Sequence, residues 1–169
     1  DIVIAEINQE TVHKAADHCA SFGVEVMAYQ IDIGEVQQTN QMVTDVVARF
    51  GRIDILVNNA GVSQKDSFFE LAPEQWDWLQ RVNQRGLFFC LQAVARQMVA
   101  QIPDEVKQAG QAERSYGKIV NLSSIAGRRG RADAIHYSVS KAATITITQG
   151  AAMALASYNI NVNAICPSV

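Results

Sequence analysis

Tyr137 and Lys141 stand four residues apart, so on a helix their side chains share one face, a turn apart. An ammonium within several ångströms of a phenol favours the phenolate. It draws a tyrosine pKa down from about 10 toward neutrality, where the group can exchange a proton with a hydroxyl or a carbonyl. Such a pair arises by chance on many helices, so its chemistry depends on its company. Asn121-Leu122-Ser123-Ser124 closes one apolar run, with Ser124 thirteen residues before Tyr137, and strand ends in parallel sheets are where α/β sites assemble. Asn58-Asn59-Ala60-Gly61 closes another, and its small residues let a flat ligand approach the backbone. Taken singly, each of these two segments also reads as an ordinary turn.

The elements that must position these residues follow from periodicity. Residues 2–7 are a short run, apolar apart from Glu6 and rich in β-branched side chains, as in a buried parallel strand. Asn8 then caps a helix marked by Val12, Ala15, Ala16, Cys19 and Phe22, which Gly23 stops. Residues 24–31 predict a second strand, 35–50 a second helix ending at Gly51, and 53–57 a third strand. This alternation predicts an α/β domain with a parallel sheet and right-handed crossovers. After a loop over 58–72, Pro73 opens a long helix to about residue 100. Residues 102–116 are polar, with Pro103 and Gly110, and predict a surface insertion that is partly helical at most. Strands follow at 118–122 and 161–165. Between them, Thr-Ile-Thr-Ile-Thr at 144–148 alternates as a strand would, but 132–157 is alanine-rich and far too long for one, which predicts a helix.

With 169 residues, 49% of them apolar and 18% charged, the chain is expected to form a single domain over 1–169. Fourteen Lys and Arg against seventeen Asp and Glu leave no positive excess for a phosphate backbone, so nucleic acid is not expected as a partner. No apolar run is long enough to span a bilayer, and no membrane partner is expected. Cys19, Cys90 and Cys166 form no CxxC pair and have no histidine at a metal-ligand spacing. No metal is expected, and the cysteine usage suits a reducing, cytoplasmic compartment.

Taken together, Asn58-Asn59-Ala60-Gly61, Asn83 within Val82-Asn83-Gln84-Arg85-Gly86, Ser124, Tyr137-x-x-x-Lys141, and the run from Asn161 through Ile165-Cys166-Pro167 resemble the short-chain dehydrogenase/reductase family. The resemblance covers nearly the whole chain. It implies a Rossmann-type, doubly wound parallel sheet in three α/β/α layers, and an NAD(P)-dependent oxidoreductase acting on CH-OH groups. By this resemblance Tyr137 is the general acid/base, and Lys141 depresses its pKa and bonds the nicotinamide ribose. Ser124, or failing it Ser123, holds the substrate oxygen, and Asn83 holds a water that links Lys141 to solvent. Glu6 would accept from both adenosine ribose hydroxyls and repel a 2′-phosphate, favouring NAD over NADP; its other reading is a helix-capping acid. Asp32 and Ile33 match adenine contacts, and Asn58, Ala60 and Gly61 the stretch beneath the adenosine ribose and nicotinamide. Pro167 and Val169 complete the cofactor set, with Val169 at the carboxamide.

Two departures stand out. The family's glycine-rich turn is absent, for the ten glycines nowhere form GxxxGxG, and Ser168 stands where many relatives have Gly. The resemblance therefore implies a strand, turn and helix before Asp1, the strand seated between the first and third strands named above, and a further strand after Val169. Arg128-Arg129-Gly130-Arg131 reads either as an anion clamp or as a solvated basic loop. The stretches 91–98 and 126–130 look like sugar-alcohol dehydrogenases of the sorbitol type, which points to polyols. The rivals are a 3-oxoacyl-carrier-protein-type ketoreductase, for which NADP is usual, and a non-catalytic cofactor-binding scaffold. Family habit implies a homodimer or homotetramer packed through the helix from Pro73 and the Tyr137 helix.

Overall fold

The structure is a computed structural model that describes residues 1–109 and 114–168. Strand β1 (Ile2–Glu6) leads through α1 (Gln9–Ala20) to β2 (Val26–Gln30), and α2 (Val36–Phe50) leads on to β3 (Ile55–Asn58). Asn8 caps α1, its side chain accepting from Thr11 N at 2.9 Å. A helical run then comprises α3 (Pro73–Gln80), a π-helical turn over Arg81–Gly86 and α4 (Leu87–Ala100), and is followed by α5 (Asp104–Ala109). After β4 (Gly117–Leu122) and a short 3₁₀ turn over Ile125–Gly127 come α6 (Ile135–Leu155) and β5 (Ile160–Ile165). Of the expected insertion at 102–116, the part at 104–109 is helical and 110–113 lie outside the described residues.

The strands pair in parallel: β1 with β2, and β3 with β4 with β5, in registers that set Asn58 opposite Asn121 and Leu122 opposite Ile165. This is an α/β fold of parallel ladders with flanking helices. Among the described residues β1 pairs only with β2 and β3 only with β4. The strand expected between β1 and β3 corresponds to no described residue, and Ile55 and Val57 of β3 are 62% and 55% exposed.

Two apolar clusters hold the ladders. Leu91, Val94, Ala95 and Met98 of α4 pack with Ile119, Ile160 and Val162, with Ile147 and Leu155 of α6 against them. Met42 and Val46 of α2 pack with Ile31 and with Cys90 of α4, beside Val3, Met27 and Leu56. Helix α4 thus belongs to both clusters and joins the two ladders. Truncating the fully buried Met98 to Ala should cost about 2–5 kcal/mol. Burial pushes the Cys90 thiol up to about 12, which keeps it protonated and inert.

The structure differs from the expected elements at one informative place. The helix predicted from Pro73 to about 100 is not uniform but carries the π turn at 81–86, a feature often found at functional sites. The expected helix over the Thr-Ile alternation is present. Thr144 and Thr148 turn their hydroxyls onto the carbonyls of Ser140 and Thr144 at 3.1 and 2.7 Å, so both bury without stranding a polar atom.

Candidate active site

Three elements converge on Lys141: the end of β4, the first turns of α6 and the turn after β3. Lys141 lies in the second turn of α6 and is only 7% exposed. Its Nζ donates to the carbonyl of Leu122, the last residue of β4, at 2.7 Å, and stands 5.7 Å from the centre of the Tyr137 ring. Burial lowers the Lys141 pKa, because a dry site disfavours the ammonium.

The two serines after β4 have different duties. Ser123 is buried, and its hydroxyl donates to the carbonyl of Lys141 at 2.7 Å, fastening α6 to the strand end. Ser124 accepts from Ala126 N at 3.1 Å as the cap of the 3₁₀ turn, which leaves the hydroxyl proton available to donate. The turn then runs so close to α6 that a Cβ on Gly127 would lie 2.6 Å from the backbone of Lys141. Only glycine fits there.

Asn83 sits in the π turn, fully buried, and its amide is committed on every side. It accepts from Val62 N at 2.7 Å and donates to Val62 O at 2.8 Å and to Ser140 Oγ at 3.1 Å. Ser140 in turn donates to the carbonyl of Tyr137 at 2.7 Å. The backbone after β3 is thereby drawn against α6, and a Cβ built on Gly61 would lie 3.6 Å from Lys141 Nζ. Asn58 lies below this level. Its side chain donates to Asn121 at 2.9 Å, and Asn121 to Thr148 at 2.9 Å, a buried chain running from β3 through β4 to α6. Asn58 therefore helps to hold the strand ends in place, while Ala60 and Gly61 are exposed.

The expected adenosine end lies at the tips of β1 and β2. Glu6 Oε1 accepts from Ile7 N and Asn8 N at 2.9 and 3.2 Å, and Oε2 makes no hydrogen bond among the described residues. Asp32 accepts from Gly34 N at 2.8 Å and from Arg81 at 2.9 Å, and Arg81 also meets Glu35 at 2.8 Å. Arg85 donates to the Gly34 carbonyl at 2.9 Å, and a Cβ on Gly86 would fall 2.7 Å from the carbonyl oxygen of Ile33. The π turn that carries Asn83 thus also clamps the loop carrying Asp32 and Ile33. Sequence reasoning took only Asn83 from this turn; Arg81, Arg85 and Gly86 were missed, although the last two lie in the same five-residue motif. Pro167 accepts from Ile125 N at 3.0 Å, tying the end of β5 to the turn after Ser124. Val169 lies outside the described residues. In the basic loop, Arg131 is paired with Asp133 at 3.1 Å.

The structure therefore brings Asn83, Gly61, Ser124, Tyr137 and Lys141 around one strand end, with Asp32 and Ile33 bound to the same π turn and Glu6 on the neighbouring ladder. A phenol beside a buried lysine, with a hydroxyl donor at the end of the adjacent strand, can pass a proton to or from an oxygen and stabilise charge developing there. Among the described residues no cluster of His, Cys, Asp and Glu could hold a metal, and no helix is long and apolar enough to cross a membrane.

Comparison with known proteins gives this arrangement a context. The family model for short chain dehydrogenases matches residues 1–169. A sorbitol dehydrogenase of Cereibacter sphaeroides is 38% identical over 168 residues, 99% of this chain and 60% of that protein. A 3-oxoacyl-[acyl-carrier-protein] reductase of Staphylococcus epidermidis is 37% identical over 145 residues, 86% of this chain and 54% of that protein. Among solved structures, an NAD+-bound xylitol dehydrogenase superposes with a TM-score of 0.88 at 35% identity, covering 98% of this chain and 59% of that one. A gluconate 5-dehydrogenase from Burkholderia cenocepacia, in complex with NADP and tartrate, superposes at 0.83 with 32% identity, covering 98% and 60%. The chain spans about 60% or less of the length of these relatives.

Proposed function

The chain belongs to the short-chain dehydrogenase family, and from that premise we propose that it is an NAD-dependent oxidoreductase interconverting a secondary alcohol, specifically a polyol or sugar alcohol, with its ketone. The observation that carries this reading is Lys141, buried at the end of β4 with its ammonium 5.7 Å from the Tyr137 ring. Tyr137 exchanges the proton with the substrate oxygen. Ser124 donates its hydroxyl proton to that same oxygen and holds it in reach of the phenol. Lys141 stabilises the phenolate, and its bond to Leu122 fixes where the ammonium stands. In oxidation the O–H proton goes to Tyr137 while the C–H bond breaks with its electron pair. NAD, when bound, supplies the acceptor for that hydride and returns it in the reverse direction. The Asn83 amide is occupied by Val62 and Ser140, so the relay water proposed for Asn83 would rest on its backbone carbonyl.

The residues fit this cofactor. Glu6 keeps Oε2 for ribose hydroxyls, and its charge opposes a 2′-phosphate. Solved relatives carry either NAD+ or NADP, so the choice of NAD rests on Glu6 itself. Asp32 and Ile33 would face the adenine, the backbone of Asn58, Ala60 and Gly61 the ribose and nicotinamide, and Pro167 and Val169 the carboxamide end. Polyol substrates are favoured by the relatives named for sorbitol and xylitol. A 3-oxoacyl-carrier-protein reductase is the second reading, favoured by a relative of that name at nearly the same identity.

Assembly and compartment belong to the same proposal. Phe88 on α4 and Val139 and Met153 on α6 are exposed apolar side chains, which suits packing against partner copies in a homodimer or homotetramer. The cysteines are free thiols, in keeping with the cytoplasm.

The test is absorbance at the reduced-nicotinamide band with the full-length protein, offering NAD or NADP with sorbitol, galactitol, xylitol, simple secondary alcohols and a 3-oxoacyl thioester. NAD-dependent turnover of a polyol is the expected result. Reduction of the thioester with the phosphorylated cofactor would establish the second reading instead. NAD binding without turnover of any substrate would point to a cofactor-binding scaffold.

A further inference from the structure

All the buried side-chain nitrogens and oxygens that lack a hydrogen-bond partner among the described residues belong to three side chains: Asp66 Oδ2, Gln80 Oε1, and both ring nitrogens of His136. These residues adjoin one another directly behind the proton-transfer site. His136 is fully buried and immediately precedes Tyr137. Its Nε2 lies 3.2 Å from Asp66 Oδ2, and its carbonyl accepts from Gln80 Nε2 at 2.9 Å. The other carboxylate oxygen, Asp66 Oδ1, is taken by the amides of Gln64 and Gln75 at 3.0 and 3.1 Å. Oδ2 is therefore the oxygen left for the imidazole. Buried polar groups in native proteins are paired as a rule, and exceptions call for an explanation.

The place of the pair in the chain supplies one. Residues 62–66 form an extended strap after β3, with Val62, Gln64 and Asp66 turned inward and Ser63 and Lys65 exposed. At one end Val62 is held by Asn83, which is bonded to Ser140. At the other end Asp66 faces His136, its backbone N–H donates to the Asp133 carbonyl at 3.1 Å, and Lys65 meets the Asp133 carboxylate at 3.4 Å. The strap is thus fastened on both sides of Tyr137, to α6 by Ser140 three residues after it and to the approach of α6 by Asp133 four residues before, and this holds Asp66 Oδ2 3.2 Å from His136 Nε2.

We infer that Asp66 and His136 are a positioning pair for Tyr137, a buried carboxylate–imidazole contact that sets the first turn of α6 against the strap and so aims the phenol at the substrate oxygen. This deepens the proposed function and rests on it. The pair touches neither substrate nor cofactor. Its effect is on geometry, where a displacement near 1 Å can cost on the order of 100-fold in rate.

The experiment is a double-mutant cycle in the full-length protein, with Asp66→Asn, His136→Phe, and both together, alongside His136→Gln, whose amide keeps a polar group facing Asp66 Oδ2. Tyr137→Phe serves as the control. Each single variant should lower kcat on the order of 10- to 100-fold while the NAD dissociation constant stays within about twofold, and the double variant should cost no more than one single. His136→Gln should recover most of the rate. Single variants with wild-type kcat, or losses that multiply in the double, overturn the pair. If His136→Phe does not fold, the comparison of Asp66→Asn with His136→Gln decides: a rate loss in the first and near-wild-type turnover in the second supports the pair, and equal rates overturn it. Full turnover in Tyr137→Phe would overturn the proposed function itself, which keeps the two failures distinct.

Discussion

The ammonium of Lys141 and the carbonyl of Leu122 meet at 2.7 Å, so the last residue of β4 fixes the cation that faces Tyr137. The end of β4 therefore fixes the ammonium beside Tyr137, the proposed general acid/base, and Ser123 and Ser124 follow directly after it. Burial of Lys141 favours its neutral form, and that has a sign that can be measured.

Because the Lys141 pKa is lowered in the folded chain, the unfolded chain binds more protons in the interval below 10.5, and stability rises with pH across it. Comparison with Lys141→Met should isolate this term. The denaturation midpoint of wild type relative to the variant should climb as pH approaches 10.5 from below, and a flat difference would contradict the shift.

Ser123→Ala and Ser124→Ala should separate structure from chemistry. The first removes the bond to the Lys141 carbonyl and should cost about 1 kcal/mol of stability, read from the urea midpoint at constant slope. The second removes the cap bond from Ala126 N, at a cost of about 0.5–2 kcal/mol, but should in addition lower kcat on the order of 100- to 1,000-fold, as for a donor aimed at developing charge. Reversal of the two phenotypes would move the substrate-binding role to Ser123.

Gly127→Ala places a methyl 2.6 Å from the Lys141 backbone. Overpacking of this kind costs about 1–3 kcal/mol, and here the displaced element carries Tyr137. Thermal melting and kcat should fall together; an unchanged kcat would show that the turn after Ser124 does not set the position of α6.

Glu6→Gln keeps the shape of the side chain and removes its charge. The ratio of kcat/KM with NAD to that with NADP should drop by about tenfold or more, since one decade needs only about 1.4 kcal/mol of lost repulsion. A ratio that does not move would transfer cofactor choice to another residue.

Much of this is legible in the sequence because it depends on near neighbours. The i, i+4 spacing of Tyr137 and Lys141, the cap at Asn8 and the length that makes 144–148 helical all follow from local rules. What sequence reasoning missed is held by long-range contacts. Arg81 reaches Asp32 across 49 residues, and Asn83 reaches Ser140 across 57. No periodicity reports that a side chain will be consumed by partners so far away, so the Asn83 amide as a staple between the strap after β3 and α6 is legible only in the structure. The π turn is equally invisible, for residues 81–86 continue an ordinary helical pattern, and the partners that Asn83, Arg81 and Gly86 meet lie far off in the chain. Asp66 and His136 stand seventy residues apart, one in a polar loop and one beside the tyrosine, and only folding makes them neighbours.

The central claim is that Tyr137 transfers the proton, and Tyr137→Phe in the full-length protein tests it most directly. The variant removes one oxygen and leaves the ring against Lys141. NAD binding, followed by quenching of tryptophan fluorescence, should stay within about twofold of wild type, while the rate of reduced-nicotinamide formation with the best alcohol falls by about 100-fold or more. Turnover within about tenfold of wild type would contradict the account, because a general acid/base contributes at least about two decades.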